Sequence, residues 1–207
     1  MTALFDLRPA APAPTPRAAG PRPSVIGLDM ALVTSGVAGP GWTDTIRTGT
    51  RRAEDRLLHL VETTATFYRR ADLVVIEGPS YGSALQRGHD EMAALRWMIR
   101  CDACRRGIPV AVVPPDSRTI YATGRARWKD EVGHKLTAQQ VKGLVRTAVQ
   151  DTYGVPCEGP GRYDQADAYV LVAMGLDWLG YPLADLPPTH RRALDGVAWP
   201  ELPAVAR

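Results

Sequence analysis

Two aspartates open the stretch RYDQADAYVLVAMG (Arg162–Gly175), which is otherwise as apolar as a buried helix. Asp164 and Asp167 stand at i and i+3, so on a helix they share one face. An ionised carboxylate drawn out of water is costly unless it is paired, hydrogen-bonded or bound to a metal. Acids near a helix N-terminus have a plainer use, since they cap free N–H groups and suit the helix dipole. Two more acids end apolar runs: Asp29 closes SVIGLD (Ser24–Asp29) and Glu77 closes DLVVIE (Asp72–Glu77). Singly, Asp29 reads as a strand-to-turn residue and Glu77 as the first solvated residue after a buried strand. The four together make a stronger pattern, provided the fold brings them to one place.

The elements that must do so are legible. Ser24–Asp29 reads as a short buried strand, and Leu32–Ala38 and Thr43–Thr48 as β-prone pieces separated by the turn signal GPG. Three antiparallel strands follow from that pattern. Arg51–Arg70 has helical periodicity through Ala53, Leu57, Leu60, Val61, Thr64 and Tyr68. Asp72–Glu77 is a continuous apolar strand, followed by the turn-rich GPSYGS. A helix over Gly88–Arg106 leads to the strand IPVAVV (Ile108–Val113), then a basic connection, a helix over Thr137–Tyr153 and a last helix over Asp164–Leu179. Strands alternating with helices imply an α/β fold: a mixed five-stranded sheet, three antiparallel strands then two parallel, flanked by helices. The face of the last helix that carries the two aspartates continues through Ala168, Leu171 and Gly175 and should pack on the sheet. If the first strand is central and its parallel neighbour ends at the same edge, Asp29 and Glu77 converge with Asp164 and Asp167. Four such carboxylates repel one another, and hard divalent cations relieve this; oxygen ligands select Mg²⁺ or Mn²⁺.

Composition sets the frame. The chain has 207 residues, 45% hydrophobic and 23% charged, as in an ordinary soluble domain. Residues 1–23 carry six prolines and read as a disordered Pro/Ala-rich tail. Residues 24–180 should form the compact domain, and 181–207 a Pro-rich C-terminal tail. No apolar run approaches the roughly 20 residues of a membrane span, and the N-terminus lacks a secretory pattern, so a cytoplasmic protein is expected. Three cysteines do not suggest a disulfide framework. Cys101 and Cys104 form a C-x-x-C inside a helix near its C-terminal end, without the helix N-terminus of a redox motif or the four ligands of a zinc site. They read as structural thiols. Net charge is only +3, but Arg118, Arg125, Arg127, Lys129, Lys135, Lys142 and Arg146 face only Asp130 and Glu131 across residues 118–146. Such a run is either a solvated face or a phosphate-contacting surface.

Several segments share a family's pattern. GLDMALVTSGVA resembles the first strand and turn of the RuvC-type Holliday-junction resolvases of the ribonuclease H-like superfamily, and VVIEGPSYG their second acidic strand. VAVVPPDSRTIYATG resembles their strand-loop-TG segment, and DQADAYVLVAMG their closing D-x-x-D-A helix. The match runs over about Val25–Gly175. The resemblance implies a ribonuclease H-like fold and a metal-dependent endonuclease that cuts four-way or branched DNA, leaving 5′-phosphate and 3′-hydroxyl ends. It implies that Asp29, Glu77, Asp164 and Asp167 bind two Mg²⁺ ions, with Mn²⁺ able to substitute, and that the protein is a homodimer. It also implies a stacking role at the junction for Tyr81, and a catalytic lysine after the TG. Lys129 is the nearest candidate, with Lys135 and Lys142 as others. Arg118, Arg125, Arg127, Lys135 and Lys142 are the expected DNA contacts. The chain departs from the pattern at Thr119 and Ile120, where relatives often carry a basic pair, and in the longer segment between Gly124 and Asp164.

Other classes share parts of this reading. Sugar-kinase or actin-like ATP-binding proteins also begin with a strand, an Asp and a Ser/Thr-Gly turn, but they need two such domains. A related nuclease acting on flaps or RNA–DNA hybrids would use the same acids. A junction-binding protein without catalysis would have no need to keep all four.

Overall fold

Strand alternation decides which way each acid points. The computed structural model describes residue 18, residues 20–80 and residues 88–201. β1 (Val25–Asp29), β2 (Thr34–Gly39) and β3 (Trp42–Arg47) form an antiparallel meander. β4 (Leu73–Glu77) lies parallel to β1 and β5 (Val110–Val113) parallel to β4, giving the sheet order β3-β2-β1-β4-β5. The expected sheet, three antiparallel strands then two parallel, is the one observed. α1 (Ala53–Tyr68) links β3 to β4, and α2 (His89–Arg105) links β4 to β5.

Each face of the sheet has its own core. Ile26, Leu28, Val74 and Ile76 pack with Leu60, Tyr68, Leu95 and Ile99 of α1 and α2. Val25, Leu73, Val75, Ala111 and Val113 face the other way, into a core filled by α5 (Arg162–Trp178). Behind α5 stand α3 (Pro115–Thr123) and α4 (Ala138–Tyr153), so α5 is buried from Ala166 to Asp177. Side chains alternate with period two along a strand. Asp29 therefore follows Val25 and Gly27, and Glu77 follows Leu73 and Val75, onto the α5 face. The register pairs Leu28 with Ile76, so both acids leave the sheet at one edge.

Two glycines let α5 approach. A Cβ on Gly27 would stand 2.1 Å from the Ala168 carbonyl oxygen, and one on Gly36 1.9 Å from that of Asp164. Gly36 is the register partner of Asp29. The first turn of α5 is thereby laid over the end of β1.

The structure differs from the sequence expectation in two places. The basic connection after β5 begins with a helix, α3, whose second proline occupies its first turn, a position where the missing N–H costs nothing. The C-terminal segment does not leave the domain at residue 180. α6 (Pro188–Arg191) and a 3-10 turn (Arg192–Gly196) follow, with Ala193 and Val197 buried in the α5-side core. Trp199 stacks on Trp178 at 4.7 Å between ring centroids, and Ala198 bridges to Val112 of β5. The reason is electrostatic as well as apolar. Asp177 is 3% exposed and receives Arg191 Nη2 at 2.8 Å, Arg191 Nε at 3.0 Å and the Tyr121 hydroxyl at 3.0 Å. A buried carboxylate needs such partners, and the segment after 180 supplies one. Of the expected N-terminal tail, residues 1–17 and 19 lie outside the described residues. Among the described residues no helix is long and apolar enough to cross a membrane.

Candidate active site

Five elements meet at the edge where β1 and β4 end. Asp29 and Glu77 are hydrogen-bonded through their carboxyl groups. Burial, then the Glu77 charge and that hydrogen bond, hold the Asp29 carboxyl well above the usual carboxylate range, against the opposing pull of Arg118 and Lys142. Burial beside a second carboxylate favours the uncharged form of Asp29. On the other side, Glu77 Oε1 lies 3.5 Å from Arg118 Nη2. Arg118 Nη1 is ion-paired with Asp167 Oδ1. Lys142 Nζ stands 3.7 Å from Asp167 Oδ2 and 3.1 Å from Asp164 Oδ1. The order across the site is therefore Asp29, Glu77, Arg118, Asp167, Lys142, Asp164.

Capping does not account for the two aspartates. Gly161 is the N-cap of α5, with no side-chain cap hydrogen bond. Asp164 instead accepts from Lys142. Asp167 is 1% exposed and lies one turn further in, facing two cations.

Local structure explains how those cations arrive. Glu77 pairs with Val113, and the Gly78 N–H donates to the Val113 carbonyl at 2.8 Å. α3 starts two residues later, and the Arg118 N–H donates to the Pro114 carbonyl at 3.1 Å. Arg118 is thus in the first turn of a helix that begins beside Glu77. α4 opens with a capping box between Thr137 and Gln140, which satisfies two otherwise free N–H groups. Val145 and Val149 bury its inner face. Lys142, three residues before Val145, lies on the side toward α5.

The site gathers some of the expected basic residues and not others. Arg118, expected as a DNA contact, is 7% exposed and sits among the carboxylates. It is part of the site's internal charge balance rather than a free phosphate contact. Lys142 is beside Asp164 and Asp167, whereas Lys129 is exposed in the segment between α3 and α4, where it bridges to Lys135. That segment folds back on itself: Asp130 Oδ1 accepts the N–H groups of Val132 (3.0 Å) and His134 (2.8 Å), and the Leu136 N–H donates to the Trp128 carbonyl at 2.9 Å. Its exposed basic residues are Arg125, Arg127, Lys129 and Lys135. Arg125 lies over the Trp128 ring at 4.6 Å, and Trp128 Nε1 donates to Thr123 Oγ1 at 3.0 Å, which ties this excursion to the end of α3. Tyr81 lies outside the described residues. Of the cysteines, Cys101 and Cys104 are exposed on α2. Cys157 is in the core, its thiol pushed up to about 11 chiefly by burial.

The donor chemistry suits hard divalent cations. All four acids offer oxygen, and neither buried Asp167 oxygen accepts a hydrogen bond of normal geometry. Among the described residues, no three His, Cys, Asp or Glu side chains surround one point closely enough to hold an ion as they stand. Arg118 and Lys142 stand between the acids.

Comparison with known proteins identifies the fold. No family model and no curated protein matches the sequence. The solved structure of RuvC from Thermus thermophilus aligns with 76% of this chain and 94% of its own, at 18% identity and a TM-score of 0.51. T. thermophilus RuvC in complex with Holliday junction substrate aligns over 76% and 93%, at 16% identity and a TM-score of 0.47. The fold is RuvC-like and ribonuclease H-like. The described sheet is built on that plan.

Proposed function

We propose that this chain is a metal-dependent endonuclease that cleaves phosphodiesters in four-way or branched DNA. The observation that carries the reading is the convergence of Asp29, Glu77, Asp164 and Asp167, from two strands and a helix, at one sheet edge. The motif resemblance supports the same residues in the same roles. Two Mg²⁺ or Mn²⁺ ions held by these oxygens would supply water activation and leaving-group stabilisation. The chain's own groups do the rest. Lys142 offers an ammonium at the site to stabilise negative charge developing on the phosphate. Arg125, Arg127, Lys129 and Lys135 offer phosphate contacts on the neighbouring excursion. The products under this reading carry 5′-phosphate and 3′-hydroxyl ends. A two-fold junction is matched most simply by a two-fold protein, so we take the working unit as a cytoplasmic homodimer. Light scattering checks this, and a one-chain mass with and without DNA would contradict it.

The ion pairs of Asp167 and Asp164 with Arg118 and Lys142 favour one competing reading, a junction-binding protein without catalysis. One experiment separates the two: labelled four-way junction, linear duplex and RNA–DNA hybrid, each incubated with the protein and Mg²⁺. Cleavage of the junction in preference to the others is expected. Junction binding without cleavage of any substrate would leave the binding reading, and preferred cleavage of the hybrid would point to a ribonuclease.

A further inference from the structure

Arg118 is the residue of this site that the proposed activity leaves without a task. It is 7% exposed and its Nε has no hydrogen-bond partner among the described residues. Its two terminal nitrogens reach carboxylates on different elements, Glu77 on β4 at 3.5 Å and Asp167 on α5. An arginine held this way is not an opportunistic surface contact. Removing a guanidinium from water is costly, and the two carboxylates beside it compensate. Asp167 is in the same position, since at 1% exposure its two oxygens meet Arg118 on one side and Lys142 on the other. The planar fork of arginine presents donors to two partners at once, which a lysine ammonium does not reproduce with the same geometry.

We propose that Arg118 is the built-in counter-cation of this site: it bridges Glu77 and Asp167 in the metal-free protein and competes with a divalent cation for Asp167. This rests on the reading of the four acids as metal ligands. In the metal-free state the guanidinium keeps Glu77 and Asp167 together, so the acid edge is assembled before any ion arrives. A divalent ion offers Asp167 twice the charge in a smaller volume and releases the guanidinium from that carboxylate. The release also frees a fork of N–H donors beside the place where a phosphate would lie. Arg118 thus sets how tightly the site takes a metal, and couples metal loading to the appearance of a phosphate-binding group.

The test uses the full-length protein without DNA. Mn²⁺ binding is measured by calorimetry and by the EPR signal of the free ion, for wild type, Arg118→Gln and Arg118→Lys. Removing a unit charge a few ångströms from the ion should tighten Mn²⁺ binding by about tenfold or more in Arg118→Gln. Arg118→Lys, which keeps the charge without the fork, should fall between. Without metal, Arg118→Gln should melt lower than wild type, and Mn²⁺ should raise its melting temperature by more. A second measurement needs no folded variant: the Arg118 Nε–Hε resonance of wild type should shift as Mg²⁺ is added. Equal Mn²⁺ affinity in wild type and Arg118→Gln would overturn the proposal while leaving the acids as metal ligands. An Arg118 resonance unmoved at saturating Mg²⁺ would overturn it in the same way. No Mn²⁺ binding by any of the three proteins would overturn both this inference and the nuclease reading it rests on.

Discussion

Asp29→Asn and Asp167→Asn should move metal-free stability in opposite directions, although both replace a carboxylate of one cluster with its isosteric amide. Asp167 is 1% exposed and bears ion pairs from Arg118 and Lys142. Neutralising it leaves Arg118, itself 7% exposed, with Glu77 at 3.5 Å as its one remaining ion pair among the described residues. Breaking a buried ion pair by removing one partner costs about 3–5 kcal/mol. In a chain of this size the lower figure corresponds to a melting-temperature loss of roughly 6–12 °C. Asp29 has the opposite surroundings. Burial and the Glu77 charge already favour its uncharged form, and a neutral amide there can donate to Glu77. Asp29→Asn should therefore melt at or above wild type at neutral pH. The linkage has the same sign, because a carboxyl whose folded-state pKa is raised loses its stabilising contribution as pH rises through that pKa. Thermal denaturation in EDTA at neutral pH reads both variants side by side. A fall for Asp29→Asn would refute the reading of Asp29 as uncharged at neutral pH, and an unchanged melting temperature for Asp167→Asn would refute the assignment of Arg118 and Lys142 as its partners.

Three other perturbations follow from the same geometry. Lys142→Met removes the one ammonium placed against Asp164 among the described residues and should lower the single-turnover cleavage rate at least tenfold, with junction affinity changed little; Lys129→Met should leave that rate within about twofold. The double variant Arg127→Ala, Lys135→Ala should weaken binding of junction and linear duplex alike and reduce the salt slope by about 1–2, since each lost phosphate contact removes about 0.9; an unchanged slope would take the excursion out of the interface. Asp177→Asn unpairs Arg191 and should destabilise the domain by about 3 kcal/mol and speed tryptic cleavage beyond residue 180; a wild-type digestion pattern would mean that the segment is held by its apolar contacts alone.

The sheet was legible because its strands are short, apolar and end in turn signals. Ser24–Asp29 and Asp72–Glu77 were bounded within one residue of β1 and β4. The D-x-x-D spacing on an apolar helix likewise placed Asp164 and Asp167 on one face. What charge counting alone misplaced was Arg118. A run of basic residues looks the same whether it lies on a surface or turns inward, and α3 was hidden behind two prolines. The signal was present in PPDSRTIYA, where Pro115 suits a first helical turn and Arg118, Tyr121 and Ala122 fall at i, i+3 and i+4. Tyr121 is buried, so its helical neighbour Arg118 had to be inside as well. Lys142 could have been chosen over Lys129 by the same logic, being three residues before the buried Val145. The C-terminal prolines suggested a tail because proline breaks helices, yet Pro188 starts one, and the partner that holds the segment, Asp177, lies inside α5 as an acid without an obvious role in the sequence.

The central claim is that the four carboxylates exist to hold metal for cleavage, and it is tested most directly by comparing cleavage with binding in Asp29→Asn, Glu77→Gln, Asp164→Asn and Asp167→Asn. Each variant is incubated with labelled four-way junction in Mg²⁺ for the cleavage rate, and in Ca²⁺ for the affinity. Phosphate contacts from lysine and arginine dominate DNA affinity, so all four variants should bind the junction at least as tightly as wild type, and none should cleave it at a measurable fraction of the wild-type rate. Wild-type cleavage by Asp164→Asn or Asp167→Asn, in protein shown to be folded, would contradict the account.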